Sequence, residues 1–184
     1  MRNALRRITF GVVGAGMVVA MAASTAPAAT AAVSARPEAS AAAQPVSLHW
    51  PTVQRGDTGP RVKSVQYLLN VRIGSHLAHT GFFGPRTEAD VKTFQRRVGL
   101  FPSGVVRSAT WDKLIVSVQR GSTGQAVTAV QVQLRYSYGY IIAIDGIFGP
   151  KTEAAAKAFQ RRFGLRHDGI VGPLTWNAMI VHDR

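Results

Sequence analysis

A chain of 184 residues with 22 Lys and Arg against 9 Asp and Glu, a net charge of +13, has room for one domain or a pair of small ones, and it favours an anionic partner by long-range attraction. It contains no cysteine, which excludes a disulfide framework and a thiol nucleophile. Any small domain must therefore be held by packing alone, a demanding condition at this size.

Taken in chain order, Arg2, Arg6 and Arg7 precede an uncharged apolar run over residues 8–23, and small residues follow through Ala32. This is the order of a secretory signal, basic then apolar then an A-x-A cleavage site. Ala26-Pro27-Ala28 and Ala29-Thr30-Ala31 are the candidate motifs, and we expect a signal peptide over residues 1–31. An uncleaved anchor is the alternative, because residues 8–32 reach the ~20 residues a span needs; their second half is Ala, Ser, Thr and Pro, too weakly apolar to favour it. Residues 32–50 carry Ala, Ser, Pro and Gln without an apolar period, which predicts a disordered linker. Loss of the three leading arginines leaves 19 basic and 9 acidic residues, a mature charge of +10. For an exported chain the matching anions are teichoic acid, acidic lipid, peptidoglycan carboxylates or extracellular DNA.

The remainder is an internal repeat. Val53-Gln54-Arg55-Gly56 recurs as Val118-Gln119-Arg120-Gly121, and the same offset carries Phe83-Gly84-Pro85 onto Phe148-Gly149-Pro150, Phe94-Gln95-Arg96-Arg97 onto Phe159-Gln160-Arg161-Arg162, and Thr110-Trp111 onto Thr175-Trp176. No gap is needed and roughly half the aligned positions are identical. The expected modules are residues 51–116 and 117–184, with the boundary near Ser117.

Each copy reads as three helices. The first starts near Pro60, with Thr58 and Gly59 as caps, and sets Val62, Val65 and Leu69, or Val127, Val130 and Leu134, on one stripe. The second starts at Gly84-Pro85 and Gly149-Pro150, where proline suits the first helical position. Glu88 and Glu153 favour the positive end of its dipole, the stripe is Thr87, Val91, Phe94 and Val98 or Thr152, Ala156, Phe159 and Phe163, and Gly99 and Gly164 close it. A short third helix follows over residues 109–115 and 174–180, carrying Trp111, Leu114 and Ile115 or Trp176, Met179 and Ile180. Between the first two helices, residues 73–83 and 138–148 predict a structured loop or short extended segment. The fold class is all-α, two tandem three-helix bundles, each closing on its own small core.

The string Asp145-Gly146-Ile147-Phe148-Gly149-Pro150-Lys151-Thr152-Glu153-Ala154, followed by Phe159-Gln160, Gly164-Leu165 and Asp168-Gly169-Ile170-Val171-Gly172-Pro173-Leu174-Thr175-Trp176, resembles the peptidoglycan-binding domain family of bacterial cell-wall hydrolases. The resemblance covers both repeats and implies a closed three-helix bundle that holds a protein on the wall. The first repeat departs from the pattern, with Thr80 for Asp145, Ser103 for Asp168, and Arg107-Ser108 for Gly172-Pro173. Those losses bear on ligand binding by the first module more than on its fold.

Asp145 and Asp168 are first turn formers, whose side chains accept from backbone N–H groups two residues on, and second candidate ligand contacts. Phe148, in the same motif, joins the candidate set. Tyr138 and Tyr140 lie on the loop of the second repeat without tyrosine counterparts in the first and are candidate sugar-stacking surfaces, with simple packing as the alternative. Arg161 stands for a basic face of Arg96, Arg97, Arg161, Arg162, Lys92, Lys157 and Arg166, suited to carboxylate or phosphate. Trp111 and Trp176 read as core, and Gln95 and Gln160 as partners of loop carbonyls.

The five histidines, His49, His76, His79, His167 and His182, form no recognisable metal motif, and no G-x-S-x-G elbow is present. A glycosidase needs two carboxylates across a cleft, whereas the acids here sit mostly at caps and turns. The expectation is a secreted, non-catalytic, monomeric wall-binding protein without cofactor or metal, its partner peptidoglycan and anionic wall polymers. The alternatives are a basic polyanion or nucleic-acid binder and a targeting or regulatory partner of a wall hydrolase.

Overall fold

A computed structural model describes residues 48–183; the expected signal peptide and nearly all of the expected linker lie outside the described residues. The first copy consists of α1 (Pro60–Ile73), α2 (Pro85–Arg97) and α3 (Ser108–Leu114). The second consists of α4 (Gln125–Val132), which runs on as a π-helical turn (Gln133–Ser137), then α5 (Pro150–Arg162) and α6 (Pro173–Val181). Proline opens α1, α2, α5 and α6, where its missing N–H costs no hydrogen bond. Thr58 does not cap α1: the cap is Gly59 at φ 109° with no side-chain hydrogen bond. Gly99 and Gly164 follow α2 and α5 in the left-handed conformation, φ 74° and 64°, as the closing glycines were expected to.

The loops are pinned by isolated antiparallel bridges, and no strand forms among the described residues. Val53 pairs with Val106 and Val118 with Val171, tying the segment before each first helix to the turn before each third helix. Thr58 pairs with Phe82 and Thr123 with Ile147, which is the short extended structure expected between the first two helices. The indoles lock the same closure: Trp111 Nε1 donates to Pro51 O and Trp176 Nε1 to Val116 O, both at 2.9 Å. Trp50 departs from the linker reading. It is buried, stacks on Trp111 with centroids 5.5 Å apart, and donates to Asp112 Oδ1 at 2.8 Å, so the first module begins at least one residue earlier than composition indicated.

The two bundles form as expected, but they do not keep separate interiors. Buried apolar side chains of both copies make one continuous core, and the most extensive contact between helices is that of α1 with α4. Lys63 and Ser64, early in α1, meet Tyr136 and Gln133 of the π-helical turn, while His79, beyond the end of α1, lies near Gln125 at the start of α4. The two helices therefore run antiparallel. Fully buried Gln133 donates to fully buried Ser64 at 2.9 Å and accepts from Ser137 at 2.7 Å. The separate-core expectation failed because the second face of each first helix mixes polar and apolar positions, Ser64 with Leu68 in the first copy and Gln133 with Ala129 in the second, and shows no sustained apolar period. They are nonetheless sealed against the other copy, and Arg61 adds a hydrogen bond to Asp183 O at 3.0 Å.

Candidate functional site

The glycine-rich turns that carry the repeated motif are built on four buried glutamines. Gln160 Nε2 donates to Ile170 O, Thr175 Oγ1 and Asp168 Oδ1 at 2.9, 3.1 and 3.1 Å, and its Oε1 accepts from Gly169 N at 2.9 Å. Gln131 repeats the pattern on Ile147 O, Thr152 Oγ1, Asp145 Oδ1 and Gly146 N. In the first module Gln66 and Gln95 do the same, with Thr80 Oγ1 and Ser103 Oγ in place of the aspartates. Each glutamine thus fastens the turn after its own helix and fixes where the next helix starts. Gly146 and Gly169 hold φ 72° and 80°; a Cβ at Gly169 would also lie 3.0 Å from Glu153 Cγ and Lys157 Cε, so any other residue there would be strained.

Asp145 and Asp168 are first of all part of this scaffold. Their Oδ1 atoms accept from Ile147 N and Ile170 N at 2.9 Å, and those backbone donors are the main reason both carboxyls sit below the usual aspartate range. A depressed folded-state pKa stabilises the fold above the unfolded value of about pH 4, and that stabilisation is lost as pH falls through the folded pKa. Thermal melts taken through this window should therefore show a gentler acid loss in an Asp145→Asn, Asp168→Asn double variant than in the parent. The hydroxyls of Thr80 and Ser103 reproduce the turn without charge, Phe82 N to Thr80 at 3.1 Å and Val105 N to Ser103 at 3.2 Å. The first module's departures from the motif therefore remove a carboxylate and leave the turn intact.

The six candidate contacts fall into separate places. Phe148 is a correction: it is completely buried in the core, and its side chain offers nothing to a ligand. Tyr138 is mainly a packing residue. Its ring meets Phe159 and Phe163 edge-on at 4.7 and 5.7 Å, and its hydroxyl donates to Met179 O at 2.7 Å, with burial driving the phenol pKa well up. Burial raises the Tyr140 phenol, and the charges of Arg162 and Arg161 at the end of α5 oppose the rise. Asp145 and Asp168 stand at two different turns, each clamped to a different helix.

Asp168 edges an open groove of about 460 Å³ whose other walls are Leu165, Arg166, Ile170, Pro173 and Leu174, floored by Gln160 and Thr175. Ile170 and Leu174 are 42% and 54% exposed there, and Arg166 lies 3.8 Å from Asp168 while remaining in solvent. A smaller groove of about 250 Å³ repeats the construction at the first turn of module 1, from Leu77, Thr80, Phe82, Pro85 and Arg86 over Gln66 and Thr87. The sequence reading missed Gln66 and Gln131 and did not single out Ile170 or Leu174 as a wall. The available signal was the glutamine's recurrence at the repeat offset. Among the described residues no group of three or more His, Cys, Asp or Glu could hold a metal.

This architecture, a three-helix unit with clamped glycine turns used twice, defines a class of small wall-binding module. The chain belongs to the peptidoglycan binding domain family, whose model matches residues 58–114 and again 123–179. It is similar to the zinc D-Ala-D-Ala carboxypeptidase of Streptomyces albus G, 33% identical over 64% of this chain and 44% of that protein. The spore cortex-lytic enzyme of Bacillus subtilis is 42% identical over 36% of this chain and 22% of its own length. Among solved structures, a peptidoglycan-binding protein from Clostridioides difficile is 39% identical over 37% of this chain and 43% of that chain, with a TM-score of 0.35. The SleB N-terminal domain is 35% identical over 38% of this chain and 94% of that chain, with a TM-score of 0.36. The chain spans about half or less of the length of the curated relatives it matches.

Proposed function

We propose that this chain is a non-catalytic anchor of the cell wall, exported by its leading segment, acting as a monomer and docking on peptidoglycan chiefly through its second module. The observation that carries the reading is the open apolar groove beside Asp168, walled by Ile170 and Leu174 and edged by Arg166. A stem peptide or a sugar face can lie on its apolar wall, with the carboxylate accepting from N–H or O–H donors and Arg166 meeting a terminal carboxylate. Asp145, Tyr140 and Arg161 lie outside this groove and are assigned an accessory role: Arg161 and Arg162, unpaired with any carboxylate among the described residues, attract the anionic wall.

Sedimentation with teichoic-acid-free sacculi tests this. The parent is expected in the pellet at moderate salt, and Leu174→Ser, which changes an exposed side chain, is expected to bind about tenfold more weakly, the scale of one lost apolar contact in a groove. A parent that stays in the supernatant contradicts the proposal. Zymography on wall substrate, expected blank, checks the absence of catalysis.

A second reading, polyanion binding, is favoured by the arginine pairs Arg96-Arg97 and Arg161-Arg162 closing α2 and α5. It requires heparin or random DNA to compete with sacculi and a steep salt dependence. Several relatives are wall hydrolases by name, so a role in targeting or regulating such an enzyme is the third reading, to be sought by pull-down.

A further inference from the structure

The two copies align without a gap, yet the second helix of the pair departs from the first. Residues Gln133–Ser137 form a π-helical turn in module 2, whereas their counterparts lie inside the regular α1 of module 1. Inserted π turns reposition the side chains that follow and recur at functional positions. The exposed aromatic side chain of this turn is Tyr136, 63% exposed, where the first copy has Val71.

Tyr136 stands at the seam between the modules. Lys63 Nζ from α1 lies 5.6 Å from its ring centroid and Arg135 Cζ lies 6.0 Å from it. One turn beyond Lys63 on α1, partly buried Tyr67 stacks on His79 with centroids 3.6 Å apart and planes 9° from parallel. Asn70 bonds the His79 ring at 2.9 Å and holds that stack in place. Neither Lys63 nor Arg135 has a carboxylate partner among the described residues.

An aromatic ring open to solvent, bordered by cations without a carboxylate partner, has two complementary needs: an apolar C–H surface to cover the ring and an anion to meet the cations. A pyranose bearing a carboxylate supplies both. We infer that Tyr136, Lys63 and Arg135 form a glycan subsite at the junction of the modules, taking a carboxylate-bearing saccharide strand, which neither module could build alone. This rests on the wall-binding function proposed above, and it assigns the sugar strand to the seam and leaves the groove at Asp168 free for other wall groups.

The test is the affinity of the full mature chain for two probes: peptide-free glycan strands released from sacculi by amidase digestion, and intact teichoic-acid-free sacculi. Tyr136→Ala is expected to weaken binding to the free strands about five- to tenfold, the scale of a lost ring contact with its cation, and Tyr136→Phe is expected to retain it. Lys63→Gln is expected to weaken the same binding with the ring still present. In the parent, addition of strands is expected to shift the Tyr136 ring resonances, a readout that needs no variant to fold. Strand binding by Tyr136→Ala equal to the parent's, or unmoved ring resonances in the presence of bound strands, overturns the inference. A parent that pellets with sacculi but ignores free strands also overturns it while sparing the proposed function, whereas a parent that binds neither probe sinks the function itself.

Discussion

Replacing Gln160 by alanine is expected to destabilise the protein by roughly 3 kcal/mol and to lower its melting temperature by roughly 10 °C. The side chain is 1% exposed and makes four hydrogen bonds, to Ile170 O, Thr175 Oγ1, Asp168 Oδ1 and Gly169 N. Truncation removes them together, and it leaves the buried Gly169 N–H without a partner in a place water reaches poorly, while the Ile170 carbonyl keeps only the Thr175 hydroxyl at 3.3 Å. The cost of a stranded buried polar group exceeds the net worth of the bond it lost, so the effect is larger than the volume change suggests. Gln160→Leu, which restores most of the volume, should recover little. Asp168→Ser in the parent, which copies Ser103 of the first module, should retain nearly all of the stability, because a hydroxyl already satisfies the equivalent turn there. Thermal melts followed by far-ultraviolet circular dichroism separate the cases: equal loss in Gln160→Ala and Asp168→Ser would show that the aspartate, and not the glutamine, organises the turn.

The same residue pair shows what the sequence made legible and what it hid. The Gly-Pro starts, the phenylalanine stripe of α2 and α5 and the tryptophan of α3 and α6 all follow from local rules, since each is a matter of backbone dihedral or helical spacing. They placed the helices to within a residue or two. Gln95 and Gln160 were readable as partners of loop carbonyls, but Gln66 and Gln131 were missed, because a polar residue on an apolar helix face has no period to mark it and only its recurrence at the repeat offset signals it. Trp50 was lost in a low-complexity neighbourhood, and only its stack on Trp111 reveals it as core. Phe148 was misread for the opposite reason. It lies in the motif that carries the family likeness, and motif membership does not distinguish a side chain facing a ligand from one that holds the turn from inside. The groove beside Asp168 is formed by residues from a turn and a helix start, a juxtaposition that exists only once Gln160 has drawn them together.

Placing an aspartate at Ser64 is expected to cost about 3 kcal/mol or more and to unfold both modules together. Ser64 is completely buried, and its hydroxyl accepts from Gln133 of the other copy. A carboxylate there could keep that bond, but only by bringing a charge into the sealed face between α1 and α4, where the described partners of Gln133 are the Ser64 and Ser137 hydroxyls. Desolvating an unpaired charge costs several kcal/mol, and the chain can escape only by separating the modules. The decisive reading is the shape of the transition. Because the buried side chains of both copies form one core, the fluorescence of Trp111 and of Trp176, followed one at a time with the other and Trp50 replaced by phenylalanine, should melt in a single coincident step in the otherwise unchanged chain and shift together in Ser64→Asp. If module 2 kept its melting point while module 1 collapsed, the copies would be independent beads joined at Ser117. A seam built from residues of both copies, with Tyr136 and Lys63 held at a fixed distance, would then have no means of staying assembled.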